Sequence, residues 1–257
     1  MVSWRVLGQC FEFIVAICSF ALNGMVIYLC LYKISKPMKS YRPMLIFGCI
    51  IDTVYTTISS ITHILVVDKS TRMIFVMESP FIPITYQWTA FAVVVWVLCI
   101  HAMIHNVSTQ FVNRLNMFCW QNRLSQKQIM LFFFVCFLWS TAHCINIYFV
   151  FNEHNDPRTI EELMKTPIFR ESSLGPYIAG DTLKLPMILE QLDIQLIVTF
   201  AYATIIYSGY RIRKKLHSDS AHLQPSTLRS QIQLSRILTY QLSYSIMNPK
   251  QQKTFRQ

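Results

Sequence analysis

Long apolar runs alternate along this chain with short polar segments, and the runs set its architecture. A helix needs ~20 apolar residues to cross a hydrocarbon core of ~30 Å. Five runs meet that length, at about residues 10–32, 43–67, 86–111, 129–151 and 191–210. Between the second and third, MIFVMESPFIPIT is too short, and too interrupted by Glu78, Pro80 and Pro83, to span, so it reads as a loop. Residues 152–190 are polar and read as a long outer loop, with seven acids against four bases. Residues 211–257 read as a cytoplasmic stub and tail. Within them ILTYQLSYSIM would make a helix of ~16 Å, about half a span. The expected fold is a single all-α domain, a polytopic transmembrane bundle of five full spans plus a sixth-helix stub.

The third run is the one to build around. From Gln87 to Ile100 it is almost wholly apolar. Beyond that point, at ~100° per residue, His101, His105, Asn106, Ser108 and Thr109 share about half of the circumference. Met103, Ile104, Val107 and Phe111 take the other half. Polar groups in lipid need partners from neighbouring helices. A central span, surrounded by others, is expected.

Composition agrees with a membrane protein. Of 257 residues, 53% are hydrophobic and 14% charged, against ~25% charged in soluble domains. The net charge of +10 would suggest nucleic acid in a soluble protein. Here the bases sit in short loops and fix topology, so no nucleic-acid partner is expected. The loops after runs one, three and five carry Lys33, Lys36, Lys39, Arg42, Arg114, Arg123, Lys127, Arg211, Arg213, Lys214 and Lys215 and no acid. Basic short loops stay in the cytoplasm. The amino terminus is therefore expected outside and the carboxyl terminus inside, in a multi-pass protein of the plasma membrane. The first run is too long for an ordinary signal core and ends in bases, not at a cleavage site. The eight cysteines lie mostly inside apolar runs without CxxC spacing, and read as small apolar residues.

Local motifs narrow the class. LNGMVIYLCLYKISKPMKSYRPML in the first run, FGCIID in the second, FVNR at the inner end of the third and LRSQIQLSRILTYQ after the fifth occur in order. Together they resemble the nematode serpentine chemoreceptors of the Str superfamily, the delta class in particular, over residues 10–241. The resemblance implies a seven-helix G-protein-coupled receptor fold, a small-molecule ligand, a heterotrimeric G protein as partner, the lipid bilayer around it and a receptor oligomer. It also implies two departures. ILTYQ passes almost directly to SIMNPKQQKTFRQ, so most of helices six and seven are expected to be missing. Residues 152–190 hold no cysteine, so the disulfide that many such receptors place between the third span and second outer loop cannot form.

Candidate residues follow, each with a plainer reading. Asp52 is a carboxylate in mid-span, where a charge costs ~2.5–3.5 kcal/mol. The resemblance pairs it with Asn23 in an intramembrane polar cluster; a protonated structural acid is the alternative. Asn113 and Arg114 hold the positions of the receptor class's inner G-protein contact, with Arg211, Arg213 and Lys214 beside them in role. A snorkelling arginine and topology alone are the alternatives. His101 and His105 have a metal-compatible i, i+4 spacing, but with His63 and His143 they read better as polar helix contacts, and no metal or cofactor is expected. Trp88, Phe91, Trp96, Tyr148 and Phe151 mark a ligand pocket at the outer helix ends, or else an aromatic belt. Asn106-Val-Ser108 fits a glycosylation sequon but lies within a span. No catalytic constellation occurs, and the protein reads as no enzyme. Two rival functions remain beside the chemoreceptor: a small transporter or channel subunit using Asp52, Asp193 and the histidines, and a non-signalling partner of full-length receptors.

Overall fold

The computed structural model describes residues 4–33, 42–69, 71–79, 81, 85–120, 124–151, 153–154, 156–165, 169 and 175–218. Lys36, Lys39, Arg123 and the expected sixth-helix stub lie outside the described residues. The elements are helices α1 (Trp4–Tyr32), α2 (Arg42–Thr62), α3 (Tyr86–Phe118), α4 (Gln126–Val150), α5 (Pro157–Met164) and α6 (Leu185–Ser218). Three strands accompany them: β1 (Ile64–Lys69), β2 (Arg72–Met77) and β3 (Tyr177–Asp181). Five helices are long and apolar enough to cross a membrane: α1, α2, α3, α4 and α6. The fold is thus a mostly helical, polytopic bundle.

Burial ranks the spans. Half of the most apolar window of α3 is buried, against 11% for α1. The polar half of α3 faces inward: His101, His105, Asn106, Ser108 and Thr109 are all buried. Met103, Ile104 and Val107 on the other face are only half-buried. In lipid, the polar side of a helix is the side that needs protein neighbours.

The second span is shorter than its apolar run. It ends at Thr62 and not near residue 67, because His63 takes a left-handed backbone (φ 42°) while its N–H still donates to the Ser59 carbonyl, 3.1 Å away. A left-handed residue closes a helix in this way. The run ILVV that follows is β-branched in three of four positions and becomes β1. The segment expected to be a plain loop contributes β2, which pairs antiparallel with β1 from Ile64↔Met77 to Lys69↔Arg72. β3 pairs antiparallel with β2 on its other edge. The expected outer loop 152–190 is therefore corrected as well, since it contains α5, β3 and the first turns of α6.

The sheet's period of two gives it two apolar faces. Ile74, Val76, Tyr177 and Ala179 pack with Leu163 of α5 and with Phe169. Phe75 and Ile178 point the other way, onto Ala90, Val93 and Val97 of α3, Cys144 and Ile147 of α4, Phe151 and Met187. The sheet is sandwiched between α5 and the ends of three spans. Polar links hold α5 over it. Arg72 at the start of β2 donates to Asp156, the N-cap of α5, and to Thr159. Lys184, just before α6, pairs with Glu153.

By contacts the chain divides into two compact units, Met1–Gln110 with Gln126–Tyr202, and Phe111–Ser125 with Ala203–Gln257.

Candidate functional site

The first unit holds a buried polar cluster on three spans. His105 Nε2 of α3 lies 2.7 Å from Ser140 Oγ of α4. One turn earlier on α3, the ring of His101 approaches that of His143 to 5.2 Å between centroids. His143 Nδ1 hydrogen-bonds Asp193 Oδ2 of α6 at 3.0 Å, and Glu190 Oε1 approaches the same nitrogen at 3.1 Å. Asn146 donates to the other Glu190 oxygen. The indole N–H of Trp139 donates to Asp193 Oδ1 at 3.1 Å. The reading of the histidines as polar helix contacts thus fits three of them. The fourth, His63, lies outside the spans, its Nδ1 2.5 Å from Glu12 Oε2 of α1.

Several of these residues escaped the sequence reading. Glu190 was assigned to the outer loop because the fifth span was drawn from residue 191. The helix instead starts at Leu185, which takes Glu190 one turn inside. Ser140, Asn146 and Trp139 carry no sequence signal of their own. Spacing offered one usable hint: Glu190 and Asp193, three apart, share a helix face.

The expected Asn23–Asp52 pair is not joined by a hydrogen bond among the described residues. Asn23 donates to Ser19 at 3.4 Å, and Ser19 links α1 to α2 through Thr56 at 2.9 Å. Asp52 is half-buried one turn from Gly48. A Cβ on Gly48 would stand 2.9 Å from Asn106 Nδ2, so α2 crosses close to the polar face of α3 there.

The five aromatic residues do not form one pocket. Trp88 and Phe91, with rings 6.2 Å apart, line a groove of about 370 Å³ together with Ile58, Ile61 and Thr62 of α2, and Phe81. The Thr62 hydroxyl donates back to Ile58 O at 2.8 Å, so it leaves the groove apolar. Phe151 is instead part of the core, edge-on to Phe75 at 5.1 Å, and Trp96 packs on that core. Tyr148 is exposed beside Phe149.

The second unit carries the inner-face candidates. Arg114 is only 6% exposed and Asn113 is fully buried. Asn116 clamps the chain between α3 and α4, donating to Leu124 O at 2.8 Å and accepting from Leu124 N at 2.9 Å. α6 runs on through the basic stretch to Ser218. Arg211, Arg213 and Lys214 are exposed on it, with Ile212 buried between them.

A set of helices long and apolar enough to cross a membrane, with polar side chains buried among them, is the architecture of a polytopic membrane protein. The chain belongs to the serpentine type 7TM GPCR chemoreceptor Str family, whose sequence profile matches residues 8–247. No curated protein matches the chain. The family is one of receptors and not of enzymes. The protein is a GPCR-like membrane chemoreceptor, and the partners such a receptor has are a ligand, a G protein and membrane lipid.

Proposed function

We propose that the protein is a delta-class chemoreceptor of the plasma membrane, amino terminus outside, that senses a small molecule and addresses a heterotrimeric G protein from its inner face. The observation that carries this reading is the family membership over nearly the whole chain. The ligand acts among the outer parts of the spans, where the groove at Trp88 and Phe91 supplies apolar contact. By favouring one packing of the bundle it changes the inner face, since a ligand shifts an equilibrium only by binding one state better. Asn113, Arg114, Arg211, Arg213 and Lys214 are the proposed G-protein contacts.

The test is a G-protein reporter assay in cells, with a panel of small volatile molecules. The protein should respond to a member of the panel, and Arg114→Ala should abolish the response. A ligand response that survives Arg114→Ala would sink the mechanism.

A further inference from the structure

The cluster on α3, α4 and α6 has more acceptors than donors. His143 Nδ1 is directed to Asp193. Its N–H donates there, which leaves Nε2 an acceptor in the neutral ring. Among the described residues that Nε2 has no hydrogen-bond partner, nor has Glu190 Oε1, nor His101 Nδ1. The three residues are 1–4% exposed, so none of these atoms turns to solvent. Asp193 takes the one imidazole N–H and the Trp139 N–H, Asn146 serves Glu190 Oε2, and Glu190 Oε1, 3.1 Å from the same Nδ1, is left over. Buried charge without a counter-charge is costly, and unfilled buried acceptors call for a donor.

The surroundings of Asp193 name the donor. Its side chain is 33% exposed, so the acidic cluster is open at one edge, between α4 and α6. Trp139 stands at that edge, and its ring lies 6.3 Å from Phe200. A carboxylate flanked by an indole and a phenyl ring is suited to an ammonium group, which donates hydrogen bonds to the oxygens and is attracted to the ring faces. Among the described residues no three His, Cys, Asp or Glu come together to hold a metal ion. A carbonyl ligand would bring a further acceptor to a site already rich in them.

We propose that Glu190, Asp193, His143 and Trp139 form a recognition site for a small organic cation, a protonated primary amine. The amine N–H groups would bond Asp193 and Glu190, and its alkyl end would lie along Trp139 and Phe200. As a sensory site this rests on the receptor reading; as a binding site it does not.

The probe is n-butylammonium chloride on the purified full chain in detergent at one pH, read by thermal unfolding. Sodium chloride at equal ionic strength and n-butanol are the controls. The wild type should gain a few degrees, saturably, with butylammonium alone. Asp193→Asn, which keeps an acceptor for Trp139, should weaken that response at least tenfold, and Glu190→Gln should do likewise. Equal shifts in wild type and both variants, no shift at all, or the same saturable shift with sodium chloride would each overturn the proposal. The receptor reading fails separately. A butylammonium shift without G-protein output counts against that reading alone. Output to neutral molecules with no butylammonium shift counts against the cation site alone.

Discussion

His105 Nε2 on α3 lies 2.7 Å from Ser140 Oγ on α4, and both residues are buried. The bond joins the most buried of the candidate spans to its neighbour. Interhelical hydrogen bonds in membranes average ~0.6 kcal/mol and reach ~1.7 kcal/mol, while leaving one buried partner unsatisfied costs ~1–3 kcal/mol. Ser140→Ala should therefore lower the unfolding temperature in detergent. His105→Phe with Ser140→Ala should recover part of the loss, because the orphaned polar atom goes too. A double-mutant cycle returning zero coupling would show the contact to be incidental.

Gly175 tests the sheet packed on the ends of the spans. A Cβ there would stand 2.5 Å from the carbonyl oxygen of Met77, and Met77 N donates to Pro176 O at 3.1 Å beside it. The obstacle is backbone, so Gly175→Ala must push β3 away from β2. A cost of ~1–3 kcal/mol is expected for such overpacking. Hydrogen exchange should rise in β2 and β3 and stay unchanged in α1. Gly209→Ala is the control, since its Cβ would meet only Phe111 at an ordinary 3.6 Å.

The spans were legible in the sequence and the sheet was not, for reasons that specific residues make plain. Twenty apolar residues in a row have one stable form in lipid, because backbone groups must bond within the segment. Ile64–Val67 continue the apolar run of α2, and hydropathy cannot tell such an extension from the span itself. Only the left-handed His63 divides them. β2 was hidden by Glu78 and two prolines nearby, which argue against a span but not against a six-residue strand. Glu190 was lost because an acid was taken to mark the end of the outer loop. Its partners His143 and Asn146 lie over forty residues away on α4, and no local pattern announces a contact of that separation. The polar face of α3 was readable because all its members share one helix.

Acid should loosen α5 from the sheet. The Arg72 guanidinium beside Asp156 holds that carboxyl below its usual range, and its own N-cap bond to Arg158 adds to this. A carboxyl depressed in the folded state contributes stability that is full above its unfolded value, ~3.9, and is lost as pH falls through its folded value. Protease cleavage within 157–165 should therefore stay flat from pH 7 to about 5 and rise below ~4. Asp156→Asn should remove most of that pH dependence. A wild-type profile unchanged below pH ~4 would contradict the assignment.

The exposed bases of α6 and the buried Arg114 should differ in kind as G-protein contacts. Exposed charges act over distance and are screened within ~8 Å at physiological salt. Changing Arg211, Arg213 and Lys214 together to Gln should weaken G-protein coupling and reduce its salt dependence, with little effect on folding. Arg114→Ala removes a side chain that is 6% exposed, so it should lower both coupling and thermal stability. Equal stability with coupling intact would remove Arg114 from the contact set.

Orientation rests on where the bases lie, and it can be read without any ligand. Lys33 and Arg42 lie on either side of the segment between the first two spans, Lys127 lies in the second α4 position, and Arg211, Arg213, Lys214 and Lys215 lie near the end of α6. All belong to one side if the basic loops are cytoplasmic. Glu153, Asp156 and the sheet then lie outside. A glycosylation sequon placed before Trp4 or within 166–174 should be glycosylated in cells. A cysteine at Ser218→Cys should react with a membrane-impermeant thiol reagent only after permeabilisation. Changing the four α6 bases to Gln should leave the orientation in place, because Lys33, Lys36, Lys39 and Arg42 around that segment still oppose its transfer, each at a cost of ~2.5–3.5 kcal/mol in a span. Neutralising that first cluster as well should yield a mixture of both topologies. Labelling of Ser218→Cys from outside in intact cells would reverse the proposed direction of every span and move the acid–histidine cluster to the inner leaflet.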